Sequence, residues 1–201
     1  MRRLAALAML VAACTAAPLA HADGDPASDY LYTQQAFIPF DIKAPVAAQS
    51  DLHRTIAGAN RGGFAIRVAI ISSAYDLGAV PSLWQKPQTY ARFLGQELLF
   101  VYKQRLLIVM PNGFGFFWTG HDVSKEYATL SKIRIASGGP GLLTAAHDAV
   151  TKLAAASGVD VAPAQPPKST ASRDRLIIIL GSVAIAAAAL LVRAFLRRRR
   201  A

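Results

Sequence analysis

A chain of 201 residues that is 53% hydrophobic and only 17% charged, with a mean hydropathy of +0.31, holds more apolar surface than one soluble domain of this length buries, so part of it belongs in a lipid bilayer. The length excludes a multidomain machine, the confinement of long apolar runs to the two ends excludes a multi-span transporter, and a single cysteine excludes an intrachain disulfide or a cysteine-built metal cluster. The formal charge of +10 is carried mostly by the ends: residues 23–153 hold twelve basic and ten acidic side chains, too even a balance for a nucleic-acid face.

At the amino end, Arg2 and Arg3 precede an uncharged run over residues 4–17, then Pro18 and Ala20-His21-Ala22. A basic start, a short apolar run and a small-x-small site describe a secretory signal peptide over residues 1–22. Fourteen helical residues at ~1.5 Å each reach about 21 Å, short of a ~30 Å hydrocarbon layer. Val11-Ala12-Ala13-Cys14 also resembles a lipobox, so lipidation at Cys14 is the alternative to cleavage after Ala22.

Residues 23–156 form the expected domain. Ser50 is a good N-cap for a helix with Leu52, Ile56 and Ala59 on one side, stopped by Gly62-Gly63. Residues 64–71 alternate apolar side chains on both faces and read as a buried strand. A Ser-, Gly- and Pro-containing loop leads to a helix entered at Pro87, with Tyr90, Phe93, Leu94, Leu98 and Val101 facing the sheet.

Residues 105–110 and 114–118 are apolar runs flanking Pro111-Asn112-Gly113, a hairpin signal that makes these two strands antiparallel. The first two strands, separated by a helix, are expected to be parallel. Residues 124–137 read as a helix ending in an extended Ile133-Arg134-Ile135. Pro140 then opens a last helix, lined inside by Leu142, Leu143, Ala146, Val150 and Leu153 and ended by Gly158. The expected fold class is α/β, a small mixed sheet sandwiched by helices.

Residues 157–175, with Pro163, Pro166 and Pro167, read as a linker. Residues 176–196, bounded by Leu176 and Leu196, span about 31 Å as a helix and read as a transmembrane segment. Arg197 to Arg200 crowd the far side in a basic tail, residues 197–201, that the positive-inside rule puts in the cytoplasm. The reading is a single-pass plasma-membrane protein with an extracytoplasmic domain.

The run of a helix, FAIRVAIISS, YARFLGQELLF, RLLIVMPNGFGFFW and GLLTAAHDAVTKLA resembles the TPM domain family, named for its thylakoid, photosystem-repair and membrane-anchored members, over roughly residues 45–156. The bacterial members share the order of export signal, domain, linker and anchor. The resemblance implies a Rossmann-like α/β/α sandwich, a role in assembling or maintaining membrane complexes, and phosphatase activity or divalent-metal binding in some members. Thr119-Gly120-His121-Asp122 stands where members often carry Gly-x-Gly and an acid, so one glycine is missing before Asp122.

No nucleophile elbow, His-Glu-x-x-His pair, P-loop or dinucleotide fingerprint occurs. Ligands of open α/β sheets gather at the carboxyl ends of parallel strands. That edge collects Ser72, Ser73, Tyr75, Asp76 and Asn112, of which Asp76 and Asn112 are the candidate ligands for a divalent cation, calcium or magnesium. The plainer account is turn chemistry, with Asn112 supplying a positive φ. His121 and Asp122 form the alternative cluster, at the opposite edge. The expected function is a protein-interaction or assembly module for membrane complexes, partnered by the bilayer and by another membrane or envelope protein. The alternative is a metal-dependent, phosphatase-like hydrolase.

Overall fold

The computed structural model describes residues 24–161. The expected signal peptide, Cys14, most of the expected linker, the expected transmembrane segment and the basic tail lie outside the described residues. Among the described residues no helix is long and apolar enough to cross a membrane.

The described chain folds as a mixed α/β domain with one four-stranded sheet and five α-helices. The elements are α1 (Pro26–Thr33), β1 (Ala36–Phe37), α2 (Val46–Arg61), β2 (Ile66–Ile70), α3 (Pro87–Glu97), β3 (Arg105–Met110), β4 (Gly113–Phe117), α4 (Ser124–Leu130) and α5 (Gly138–Ala156). The strands lie in the order β1-β2-β3-β4, the first three parallel and β4 antiparallel to β3. Both expected strand relationships are therefore present. The helix between β2 and β3 carries the chain back for a parallel pairing, and the short Pro111-Asn112 turn permits only an antiparallel one.

Strand alternation divides the interior into two cores. Ile66, Val68, Ile70, Leu107 and Val109 meet α2 and α5, while Ala69, Ile71, Leu106, Ile108 and Met110 meet α1 and α3. Two glycines let α3 lie close to the sheet. A Cβ on Gly115 would stand 1.9 Å from the Pro87 carbonyl oxygen, and one on Gly95 would stand 2.1 Å from the Phe117 ring. Neither distance leaves room for a side chain.

Several boundaries differ from the sequence reading. The second helix begins at Val46 with Pro45 as its N-cap, so Ser50 lies inside it. Proline holds the entry at φ −58°, and the following alanines extend the helix from there. The helix entered at Pro87 stops at Glu97, leaving Val101 outside it and 37% exposed. Phe64 precedes its strand but is buried, and its N–H donates to the Ala59 carbonyl. The expected helix over residues 124–137 ends at Leu130, and residues 131–137, with Ile133-Arg134-Ile135, follow it as a turn and irregular chain.

The segment α1–β1 was not anticipated. Asp25 caps α1 by accepting from the Ala27 N–H at 3.1 Å, and Pro26 occupies the first helical position. β1 then adds a fourth, parallel strand beside β2. At the other end, packing continues past α5: Val159 and Val161 lie against the inner core.

Candidate functional site

The strand topology places the residues after β2 and β3 at one edge of the sheet and those after β4 at the other. At the first edge, Asp76 is buried in a single 3₁₀ turn (Ala74–Leu77). Its Oδ2 accepts from the Ser72 N–H at 2.6 Å, the Ser72 hydroxyl at 2.9 Å and the Ser73 N–H at 2.9 Å. This is a capping arrangement that holds the loop after β2. Tyr75 beside it is 93% exposed.

Asn112 does something else. Its Nδ2 donates to the Gln85 carbonyl at 2.7 Å, and Gln85 has φ 60°, the one non-glycine residue with positive φ among the described residues. The expectation that Asn112 itself supplies a positive φ is thus corrected. Gly113 takes the unusual conformation of the hairpin, freeing the Asn112 side chain to hold a strained residue of a neighbouring loop. Asp76 and Asn112 share an edge, but Asp76 is bonded within its own loop and Asn112 to the loop of Gln85, so the two do not meet.

Beside Gln85 lies a groove of about 780 Å³. The first turn of α3 and the β3–β4 turn form one side, and the end of α4 with Ile133-Arg134-Ile135 forms the other. Phe114 of β4 reaches it, whereas Asp76 does not line it. The ladder fixes which way the Phe114 backbone points. The Val109 carbonyl accepts from the Ile71 N–H, so Val109 turns its polar groups toward β2. Its register partner on β4 is Phe114, which must then direct its N–H and C=O away from β3, to the open edge.

Phe116, two residues on, points the same way and is covered. The Tyr127 hydroxyl accepts from the Phe116 N–H at 2.9 Å and donates to the Phe116 carbonyl at 3.0 Å. Burial raises the Tyr127 pKa from its ordinary value, which keeps this hydroxyl a donor. No hydrogen-bond partner for the Phe114 backbone occurs among the described residues.

At the opposite edge, His121 stacks on Trp118 with centroids 3.7 Å apart and an interplanar angle of 8°. The Arg105 guanidinium stands 3.8 Å over the same ring and 4.4 Å over Phe64. Two planar groups that close to one ring cannot share a face, so Trp118 is sandwiched between a cation and an imidazole. His121 Nδ1 lies 2.8 Å from the Thr119 carbonyl and is therefore the protonated nitrogen. Asp122 turns away: its Oδ1 accepts from the Ser124 hydroxyl at 2.7 Å and the Ser124 N–H at 3.2 Å, starting α4 and lowering its own pKa. The adjacent His121 and Asp122 are thus bonded to different groups and do not act as a pair.

The sequence reading missed a fully buried polar contact. The Tyr90 hydroxyl is 2.8 Å from both carboxylate oxygens of Asp25, inside the domain. Burial pushes the Asp25 carboxyl up to about 6, against the lowering effect of the Tyr90 and Ala27 bonds. The Asp25-Pro26 pair is a helix-start signal that could have exposed this role.

Among the described residues no three His, Cys, Asp or Glu side chains gather as a metal site would require. Comparisons with family models, with curated proteins and with solved structures find no match.

Proposed function

We propose that this chain is a membrane-anchored, extracytoplasmic binding module, TPM-like in its α/β/α arrangement, that holds or helps assemble other proteins of the membrane. The observation that carries the reading is the groove beside β4. It lies at the carboxyl ends of the parallel strands, where α/β sheets bind ligands, and joins an unpaired backbone segment to a strained residue, Gln85, held by Asn112. The candidate carboxylates Asp76 and Asp122 are committed to their own loops, which favours binding over metal-dependent hydrolysis. The export signal, linker and anchor supply the setting.

Photocrosslinking in native membranes tests it. A photoreactive residue in place of Gln88, on the groove, should yield discrete protein adducts. The same residue in place of the exposed His53 on α2 should not. Equal labelling at both positions, or none at either, would remove the proposal.

A further inference from the structure

We infer that the groove receives an extended, acidic polypeptide segment of a partner, which pairs with the open edge of β4 at Phe114; this deepens the binding-module reading and rests on it. The floor is the outward N–H and C=O of Phe114, groups that an incoming strand satisfies with its own backbone. The walls set the sign of the partner. Lys86 and Arg134 line the groove, both exposed, and no Asp or Glu does. The Lys86 ammonium already donates to the Ser82 carbonyl at 3.0 Å, which is an uncharged acceptor and leaves the charge uncompensated. The amino end of α3 opens on the same space with a partial positive charge of its own.

Half-buried Ile133 and Ile135 lie between these polar rims, with Phe114 and Leu130 buried beneath them. An extended segment alternates its side chains, so one set meets the apolar residues while the other reaches the cations. A second copy of this chain is the poorer occupant. Edge-to-edge pairing through β4 would bring Lys86 and Arg134 of each copy toward those of the other, and like charges repel across such a contact. Tyr127 shortens the open edge further by covering Phe116. The outward N–H and C=O of one residue, Phe114, are too little for a free-standing sheet contact, so the walls must contribute recognition.

The test uses the full-length chain in detergent and three octapeptide probes. One alternates Glu and Val, one alternates Lys and Val, and one repeats the acidic sequence with alternate amides N-methylated. The acidic probe should bind, with the basic probe and the methylated probe weaker by at least about tenfold. Lys86→Glu with Arg134→Glu should reverse the preference between acidic and basic probes, provided its tryptophan fluorescence melt matches that of the unaltered chain. A variant that melts early is replaced by Lys86→Gln with Arg134→Gln, which should lose the preference without reversing it. Failure of the acidic probe to bind overturns the inference, as does equal binding of all three. Full competition by inorganic phosphate overturns it too, because it would reveal a simple anion site. The crosslinking result separates this outcome from the parent reading: adducts at Gln88 that persist in the charge-reversed variant leave a binding module whose ligand is not acidic.

Discussion

The Tyr90 hydroxyl sits 2.8 Å from both oxygens of the Asp25 carboxylate, joining the cap of α1 to the first turn of α3 inside the apolar layer. A carboxylate there is held against its desolvation cost by the tyrosine and the Ala27 N–H alone. The folded domain therefore takes up a proton more readily than the unfolded chain, whose aspartate titrates near 3.8, while the folded value is about 6. Between those values the folded state binds more protons, so this group's stabilisation is complete below pH 3.8 and is lost as pH rises through about 6. The difference amounts to roughly 1 to 3 kcal/mol. Asp25→Asn should flatten this part of the profile and raise the melting temperature at neutral pH relative to the unaltered protein. Fluorescence melts across the window check it, and parallel profiles for the two proteins would sink the idea.

Tyr90→Phe removes the donor and keeps the ring. The remaining carboxylate loses its strongest partner, so the protein should lose about 1 to 3 kcal/mol at neutral pH and recover part of that on acidification. Restoring stability by combining Tyr90→Phe with Asp25→Asn would show that the cost was the unpaired charge. A Tyr90→Phe melt indistinguishable from the parent at every pH would contradict the account.

Gly115 is where α3 meets the sheet. Alanine would put its Cβ 1.9 Å from the Pro87 carbonyl oxygen and 2.4 Å from its carbonyl carbon. Backbone cannot rotate out of the way as a side chain can, so the helix must shift away from β4. Gly115→Ala should cost about 3 kcal/mol or more. Equilibrium denaturation measures it, and a loss below the cost of an ordinary surface change would show that α3 docks less tightly than these distances require.

Asp76 offers a direct contrast between a structural and a ligand-holding carboxylate. Three donors from Ser72 and Ser73 already converge on its Oδ2. Asp76→Ala should lower stability by about 1 to 3 kcal/mol through loss of the loop's cap. Calcium or magnesium should not shift the melting temperature of the parent more than that of the variant. A cation-dependent rise confined to the parent would restore Asp76 as a metal ligand.

Periodicity exposed the central strands because β2 and β3 are buried on both faces, and apolar runs between turn residues then mark them plainly. The hairpin was legible for the same reason, with Asn112-Gly113 between two such runs. The α1–β1 segment was not, since a two-residue strand has no period to detect and Asp23-Gly24-Asp25 resembles the polar start of a mature chain. Site prediction went only as far as topology. The sheet order correctly separated Ser72–Asn112 from His121–Asp122, but which hydrogen bond each side chain makes depends on loop conformation. Gln85 carries no sequence signal at all: its positive φ is accompanied by a hydrogen bond from Asn112, 27 residues away.

Tyr127 supplies the last prediction, because one hydroxyl serves both polar groups of Phe116 at the sheet edge. Tyr127→Phe leaves an N–H and a C=O unpaired beside a residue that is itself 1% exposed. Losing both bonds should cost about 1 to 3 kcal/mol, since water reaches such groups poorly. A second effect follows from the register. Without the hydroxyl to pin it, the ring at position 127 is free to leave the edge, and when it does the outward groups of Phe116 join those of Phe114, two residues apart, doubling the strand available for pairing. Self-association should therefore rise in the variant, and more so at high salt, where the repulsion between copies through Lys86 and Arg134 is screened. Sedimentation velocity over a range of protein and salt concentrations reads the association, and the tryptophan melt reads the stability. A variant that stays monomeric at high salt while melting early would mean that Tyr127 stabilises the strand without guarding its edge. A variant unchanged in both would remove the hydroxyl from either role.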